Sequence, residues 1–324
     1  MKKLFLTAVV ALIASNAFAQ YPQSVPAAAQ SNVAAAGETR LAMPTGHDVS
    51  VSVASYTYTE PGDQGISIHG AKIGGDYTAT FWLNERSHWF GTADVRGMTG
   101  AVTYDGWCSP FVLVPSSASP NGYEVDIGDA SPCDETGDKD WYAEGRFLAG
   151  KDMIGPRWAL SPYSGLGLRH LSNGTTGVAG YRTDDYLYLP LGLATRTMVA
   201  AQKAFNINLE FDVLLHGWQK TRDSALGGGD VPATDTAPAF TIDGFSDVSF
   251  SQSRGLALRL NAKYPVTTHV FVEPYYIYWN VGASPVSDET LAYTVNRVPS
   301  QESLGAYEPL NTTHEFGVKV GFHF

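Results

Sequence analysis

The last eleven residues, HEFGVKVGFHF (314–324), alternate without a break. Phe316, Val318, Val320, Phe322 and Phe324 fall at one parity, and Glu315, Gly317, Lys319, Gly321 and His323 at the other. Successive side chains of a strand point to opposite faces. From Glu315 to Phe324 the segment is therefore a strand with one apolar face and one polar face. An apolar face of this size is unfavourable in water, so either the core of a soluble sandwich or lipid must cover it.

The other end of the chain points to lipid. MKKLFLTAVVALIASNAFAQ (1–20) has Lys2 and Lys3, an apolar run over 4–13 and a small-x-small site at Ala17-Phe18-Ala19. This is a secretory signal peptide over 1–19, too short in its apolar run to span a bilayer. Residues 20–47, rich in Ala, Pro and Ser without periodicity, read as a flexible periplasmic tail. A net charge of −11 with 16% charged residues argues against nucleic acid as a partner. A terminal aromatic on an amphipathic strand, behind a signal peptide, resembles the strand by which bacterial outer-membrane barrels are recognised for assembly. The resemblance implies a bacterial outer-membrane location and a partner, the barrel-assembly machinery, engaged through the strand ending in Phe324.

Alternating segments recur at about 49–58, 65–83, 88–105, 140–149, 157–172, 184–198, 204–218, 247–263, 266–281 and 311–324. The expectation is an all-β fold: one antiparallel transmembrane β-barrel over 48–324, with ten strands. Twelve is the runner-up, reached if 65–83 divides at Gly74-Gly75 and 290–298 also pairs. Long links (106–139, 173–183, 219–246, 282–310) alternate with short ones (84–87, 150–156, 199–203, 264–265), as extracellular loops alternate with periplasmic turns. The polar parity carries Arg96, Arg146, Arg169, Arg196, Arg259, Lys263 and Lys319 against Asp94, Glu144, Glu210, Asp212, Glu273 and Glu315. A lumen of this width is expected to fill with paired charges; a narrow, porin-like pore is the alternative. Trp141, Tyr142, Tyr186, Tyr188, Trp218, Tyr275, Tyr276, Tyr278 and Trp279 cluster near strand ends, as interfacial girdles do.

The hairpin GLGLRHLSNGTTGVAGYRTDDYLYLPLGL (165–193) is the one place where chemistry-bearing residues converge. His170 and Ser172 share the parity of Leu166 and Leu168, and Asp185 that of Leu187, Leu189 and Leu191. All three are therefore expected on the outer surface at the extracellular end, where a hydroxyl, a base and an orienting carboxylate could act together. The motif His170-Leu171-Ser172-Asn173-Gly174 resembles the active-site hairpin of outer-membrane phospholipase A and of lipid A deacylase. That resemblance implies Ser172 as nucleophile, His170 as general base, Asp185 as orienter and the Asn173–Gly174 backbone at the oxyanion. Calcium would fall to Asp184; otherwise no cofactor is expected. The wider run, Gly-x-Gly-x-Arg-x-Leu-x-Asn followed by Tyr-Leu-Tyr-Leu-Pro-Leu-Gly, resembles instead a recurring hairpin of porin-like outer-membrane barrels with no assigned activity. Two functions are thus expected: a non-catalytic barrel (surface, structural or narrowly porin-like), or an outer-leaflet acyl hydrolase. Outer-membrane lipid and lipopolysaccharide are the partners either would meet.

The remaining features read as structural. Cys108 and Cys133, both in one predicted extracellular loop of an exported chain, should pair. The acidic run EVDIGDASPCDETGDKD (124–140) matches no calcium-loop spacing and reads as a solvated loop. GGGD at 227–230 reads as a loop tip, and His216, His269, His314 and His323 have no metal-type spacing.

Overall fold

The structure, a computed structural model, describes residues 41–62, 65–174, 181–200 and 203–324. Residues 1–40, which hold the expected signal peptide and most of the expected tail, lie outside the described residues.

Ten strands form the wall: β1 (Gly46–Glu60), β2 (Ile66–Asn84), β3 (Trp89–Cys108), β4 (Ser131–Lys151), β5 (Trp158–Gly174), β6 (Tyr181–Ala200), β7 (Lys203–Arg222), β8 (Gly255–Pro265), β9 (Val270–Val281) and β10 (Asn311–His323). Each pairs antiparallel with its neighbours in sequence. The sheet closes where β1 meets β10, with Asp48 opposite His323 and Thr59 opposite Thr312. Closure removes every strand edge, the condition for a sheet to stand in lipid. The fold is a closed, antiparallel ten-stranded β-barrel. The 65–83 segment is one strand, and 290–298 does not join the wall.

Side-chain parity explains why this sequence closes around a polar interior. Val51, Val53, Ile73, Val95, Leu168, Phe211, Val320 and Phe322 are exposed on the outside, while Glu144, Glu210, Asp212 and Glu315 are buried inside. This inversion of a soluble core is stable only where hydrocarbon covers the outer face. Glycines on the polar parity make room for lumenal rings. A Cβ on Gly317 would lie 2.5 Å from the Tyr275 ring, and one on Gly167 would lie 2.2 Å from that of Tyr188.

The links depart from expectation at the extracellular end. The segment 106–139 is largely strand, because β3 continues to Cys108 and β4 begins at Ser131, bonded across the rim by the Cys108–Cys133 disulfide. The 247–263 segment is broken: Val248–Gln252 pairs with the top of β7 and β8 resumes at Gly255. The long loops fold together. Phe111–Pro115 pairs with Tyr123–Ile127, and Gly229–Val231, Phe240–Phe245, Ser287–Val295 and Val298–Ala306 make a four-stranded sheet. Leu113, Val125, Phe240, Ile242, Leu291, Tyr293 and Val295 join these pieces in a small core. The Tyr293 hydroxyl donates to the Tyr123 carbonyl (2.8 Å), and the Val125 N–H to Glu302 Oε2 (2.9 Å). The acidic run is thus partly a cap strand, in which Val125 alternates inward between Glu124 and Asp126.

Candidate functional site

Two places carry concentrated chemistry: the lumen, and the outer surface around the β5–β6 hairpin. In the lumen, a tier of ion pairs crosses from wall to wall. Arg96 Nη2 donates to Glu315 Oε1 (2.5 Å), which also accepts from the hydroxyls of Tyr142 (3.0 Å) and Tyr275 (2.9 Å). Arg259 bonds Glu144 through both terminal nitrogens, one at 2.8 Å, and gives its Nε to Asp212 (2.6 Å). Arg146 spans Asp94 (3.2 Å) and Glu210 (2.7 Å), and Lys319 reaches Asp76 (2.7 Å). Each charge faces an opposite one at bonding distance, which is what makes ions tolerable away from water.

Above this tier, towards the cap, rings fill the lumen. Tyr56, Tyr142, Tyr186, Tyr188 and Trp279 are buried there. Lys72, fully buried, bonds Asp140 (2.7 Å) and sits 3.2 Å over the Tyr56 ring. The Arg169 guanidinium lies 4.3 Å over Tyr142, and none of its nitrogens has a hydrogen-bond partner among the described residues. A void of about 10 Å³ lies between Arg169, Asn173, Asp184 and Tyr186. Below the tier, a vestibule of about 370 Å³ opens at the periplasmic mouth, lined among others by Asp76, Arg146, Asn206, Asn208, Asn261 and Lys319. Met43 and Pro44 stand in that mouth. The strap they belong to is anchored where Arg196 donates Nε to the Leu41 carbonyl (2.7 Å) and Nη2 to Asp152 (2.6 Å), which accepts the Met43 N–H (2.5 Å).

Every charged residue expected in the lumen is there. The structure adds Lys72, Asp76, Asp140, Asp152, Arg182 and Glu308, all drawn into buried pairs or hydrogen bonds. Lys72, Asp76 and Asp140 carry the same parity signal within the expected strands 65–83 and 140–149, Arg182 just before 184–198, whereas Asp152 and Glu308 lie in links where parity gives no signal.

On the outer surface, His170 and Asp185 are direct cross-strand partners, with His170 Nδ1 2.7 Å from Asp185 Oδ1. The histidine ring also lies 5.1 Å from that of Trp141. Ser172 is on the same face but covered, at 1% exposure, and its hydroxyl bonds the Tyr181 hydroxyl (2.5 Å). Asp184 takes the other parity and points into the lumen, lining the small void. Two of the three expected partners are therefore joined, and the serine hydroxyl is engaged elsewhere. No group of three or more His, Cys, Asp or Glu side chains placed to hold a metal occurs among the described residues.

No family model matches the chain, and no curated protein matches it in sequence. Among solved structures it is similar to the outer membrane protease OmpT from Escherichia coli, at 12% identity over 87% of this chain and 98% of that one, with a TM-score of 0.47. The translocator domain of the autotransporter NalP from Neisseria meningitidis is 12% identical over 92% and 96% of the two chains, with a TM-score of 0.32. Ail of Yersinia pestis is 9% identical over 87% and 100%, with a TM-score of 0.28.

Proposed function

Since the chain is an integral β-barrel of the bacterial outer membrane, we propose that it is a non-conducting surface barrel. Its body is a plugged support, and its extracellular loops form a folded cap. The observation that carries this reading is the wall-to-wall tier of Arg96–Glu315, Arg259–Glu144–Asp212 and Arg146–Asp94–Glu210, backed on the cap side by packed rings. A hydrated ion crossing it would have to part several buried pairs at once. Breaking one such pair by loss of a partner costs about 3–5 kcal/mol. Liposomes containing the purified barrel should show no swelling in arabinose beyond that of protein-free liposomes. Swelling at rates that scale with protein content would contradict the proposal.

A second reading is favoured by one observation, the His170–Asp185 bond of 2.7 Å. An oriented histidine on the lipid-facing surface is half of an acyl-hydrolase apparatus. The reading requires Ser172 to exchange Tyr181 for His170 when lipid is bound. Fatty-acid release from phospholipid or lipopolysaccharide, abolished alike by Ser172→Ala, His170→Ala and Asp185→Ala, would support it. Release that survives Ser172→Ala would remove it.

A further inference from the structure

The three extracellular links 109–130, 223–254 and 282–310 hold twelve acidic and two basic residues. Against this acidic cap, one flank of the wall presents three outward cations, with Asp185, bonded to His170, as the carboxylate between them on the same face. Lys139 on β4 and Lys220 and Arg222 on β7 are exposed and share the outward parity of Trp141 and Trp218. Their levels follow from the register. Lys139 is opposite Gly174, Asn173 is opposite Arg182, and Arg222 is opposite Tyr181. Lys139 and Arg222 therefore lie on one row of the hydrogen-bond ladder, three strands apart, or about 14–15 Å along the wall. Lys220 stands about 7 Å below Arg222 on the same strand.

Below the three cations lies an aromatic band. Trp218 packs 4.3 Å from the His216 ring, Trp141 lies beside His170, and the Arg222 guanidinium is 5.5 Å over the Tyr181 ring. Tryptophan at this height marks the boundary between acyl chains and headgroups, so the three cations stand at headgroup level. Lys220 is already 2.9 Å from Asp247, but an ammonium has three donors, and Lys139 and Arg222 have no acidic side chain at ion-pair distance among the described residues. Beneath the band, Leu166, Leu168, Leu191, Leu193 and Val213 form a smooth apolar surface for acyl chains.

We infer that this flank, β4 to β7, is a docking surface for a phosphorylated glycolipid of the outer leaflet. Its phosphates bind Lys139, Lys220 and Arg222, its sugar face lies on Trp141 and Trp218, and its acyl chains run down the leucine wall. A headgroup with two phosphates can engage Lys139 and the Lys220–Arg222 pair together, about 14–15 Å apart along the wall, whereas a single-phosphate lipid satisfies one cluster at a time. The commitment is to lipid A of lipopolysaccharide rather than to a glycerophospholipid.

The test is native mass spectrometry of the full-length barrel released from nanodiscs holding equal amounts of bisphosphorylated lipid A, dephosphorylated lipid A and phosphatidylglycerol. Wild-type protein should retain bisphosphorylated lipid A at least tenfold over the other two. The triple variant Lys139→Gln, Lys220→Gln, Arg222→Gln should lose that preference while keeping the heat-modifiable gel shift of a folded barrel. Should the variant not fold, Lys139→Gln alone, at an exposed site, should reduce the preference several-fold. Equal retention of phosphorylated and dephosphorylated lipid A by the wild type would overturn the inference. So would equal retention of phosphatidylglycerol, or a folded triple variant with unchanged preference.

Discussion

Arg259 is the side chain on which the lumenal tier turns. It gives two bonds to Glu144 and one to Asp212, and lies 3.3 Å from Glu210. Replacing it with leucine keeps most of the apolar stem and removes the charge. Glu144 would retain only the Tyr188 hydroxyl (2.7 Å). Asp212 would lose the one partner it bonds, since its other oxygen is already without one. Two buried carboxylates would then face a third, Glu210, with Arg146 left to serve it. Removal of one member of a buried pair costs about 3–5 kcal/mol, and this side chain serves two acceptors, so the upper end of that range is expected. The assay is equilibrium unfolding in guanidinium of barrel refolded in detergent, followed by tryptophan fluorescence. The cost is partly reversible. Arg259→Leu combined with Asp212→Asn should regain about 1–3 kcal/mol, because the neutral amide no longer carries an uncompensated charge. A single-variant loss below about 1 kcal/mol, or a double variant no better than the single one, would refute the claim that these charges are held by each other.

Other parts of the wall and cap make their own demands. Gly317→Val places a side chain where Tyr275 lies 2.5 Å from the glycine's Cβ position, and should lower stability by about 1–3 kcal/mol in the same assay. Gly145→Val, where a Cβ meets nothing within 4 Å, should cost clearly less. In the cap, burial and the neighbouring Asp223 push Glu289 up to about 7. A raised folded-state value favours the protonated form, so this contribution is complete below the ordinary carboxylate range and is lost as pH rises through 7. Amide exchange over Ser287–Val295 should accelerate between pH 5 and pH 8 after correction for intrinsic rate, and Glu289→Gln should flatten that dependence. Arg196→Ala removes the Leu41 anchor of the strap and leaves Asp152, which holds the Met43 N–H, buried without its cation. It should expose the Leu41–Thr45 segment to protease in intact barrels, while the wild type stays uncut there.

Much of the wall was legible because parity in a strand is a local signal. In 204–218, Phe205, Ile207, Leu209 and Phe211 alternate with Asn206, Asn208, Glu210 and Asp212, and nothing distant is needed to read which face meets lipid. The same rule put His170 and Asp185 on one surface, and the structure brings them into contact. It could not assign the partner of Ser172, because Tyr181 and His170 share its outer face and parity does not choose between them. The cap was not legible. Leu113, Phe240 and Leu291 belong to three different loops, each with only a few alternating residues, and only their meeting makes a core. The strap was missed for a related reason. Leu41 and Met43 are isolated apolar residues in a polar stretch, without periodicity, and their anchors, Arg196 and Asp152, are more than a hundred residues away.

Whether the lumen is closed can be read from the ionic current across a planar bilayer. Single barrels inserted at 1 M potassium chloride should give no steady open level, with at most brief flickers. The Arg259→Leu/Arg96→Leu variant, with both ends of the tier cut, should give discrete openings if it remains folded. A large, steady, ohmic current through the wild-type barrel would show that the lumen is open.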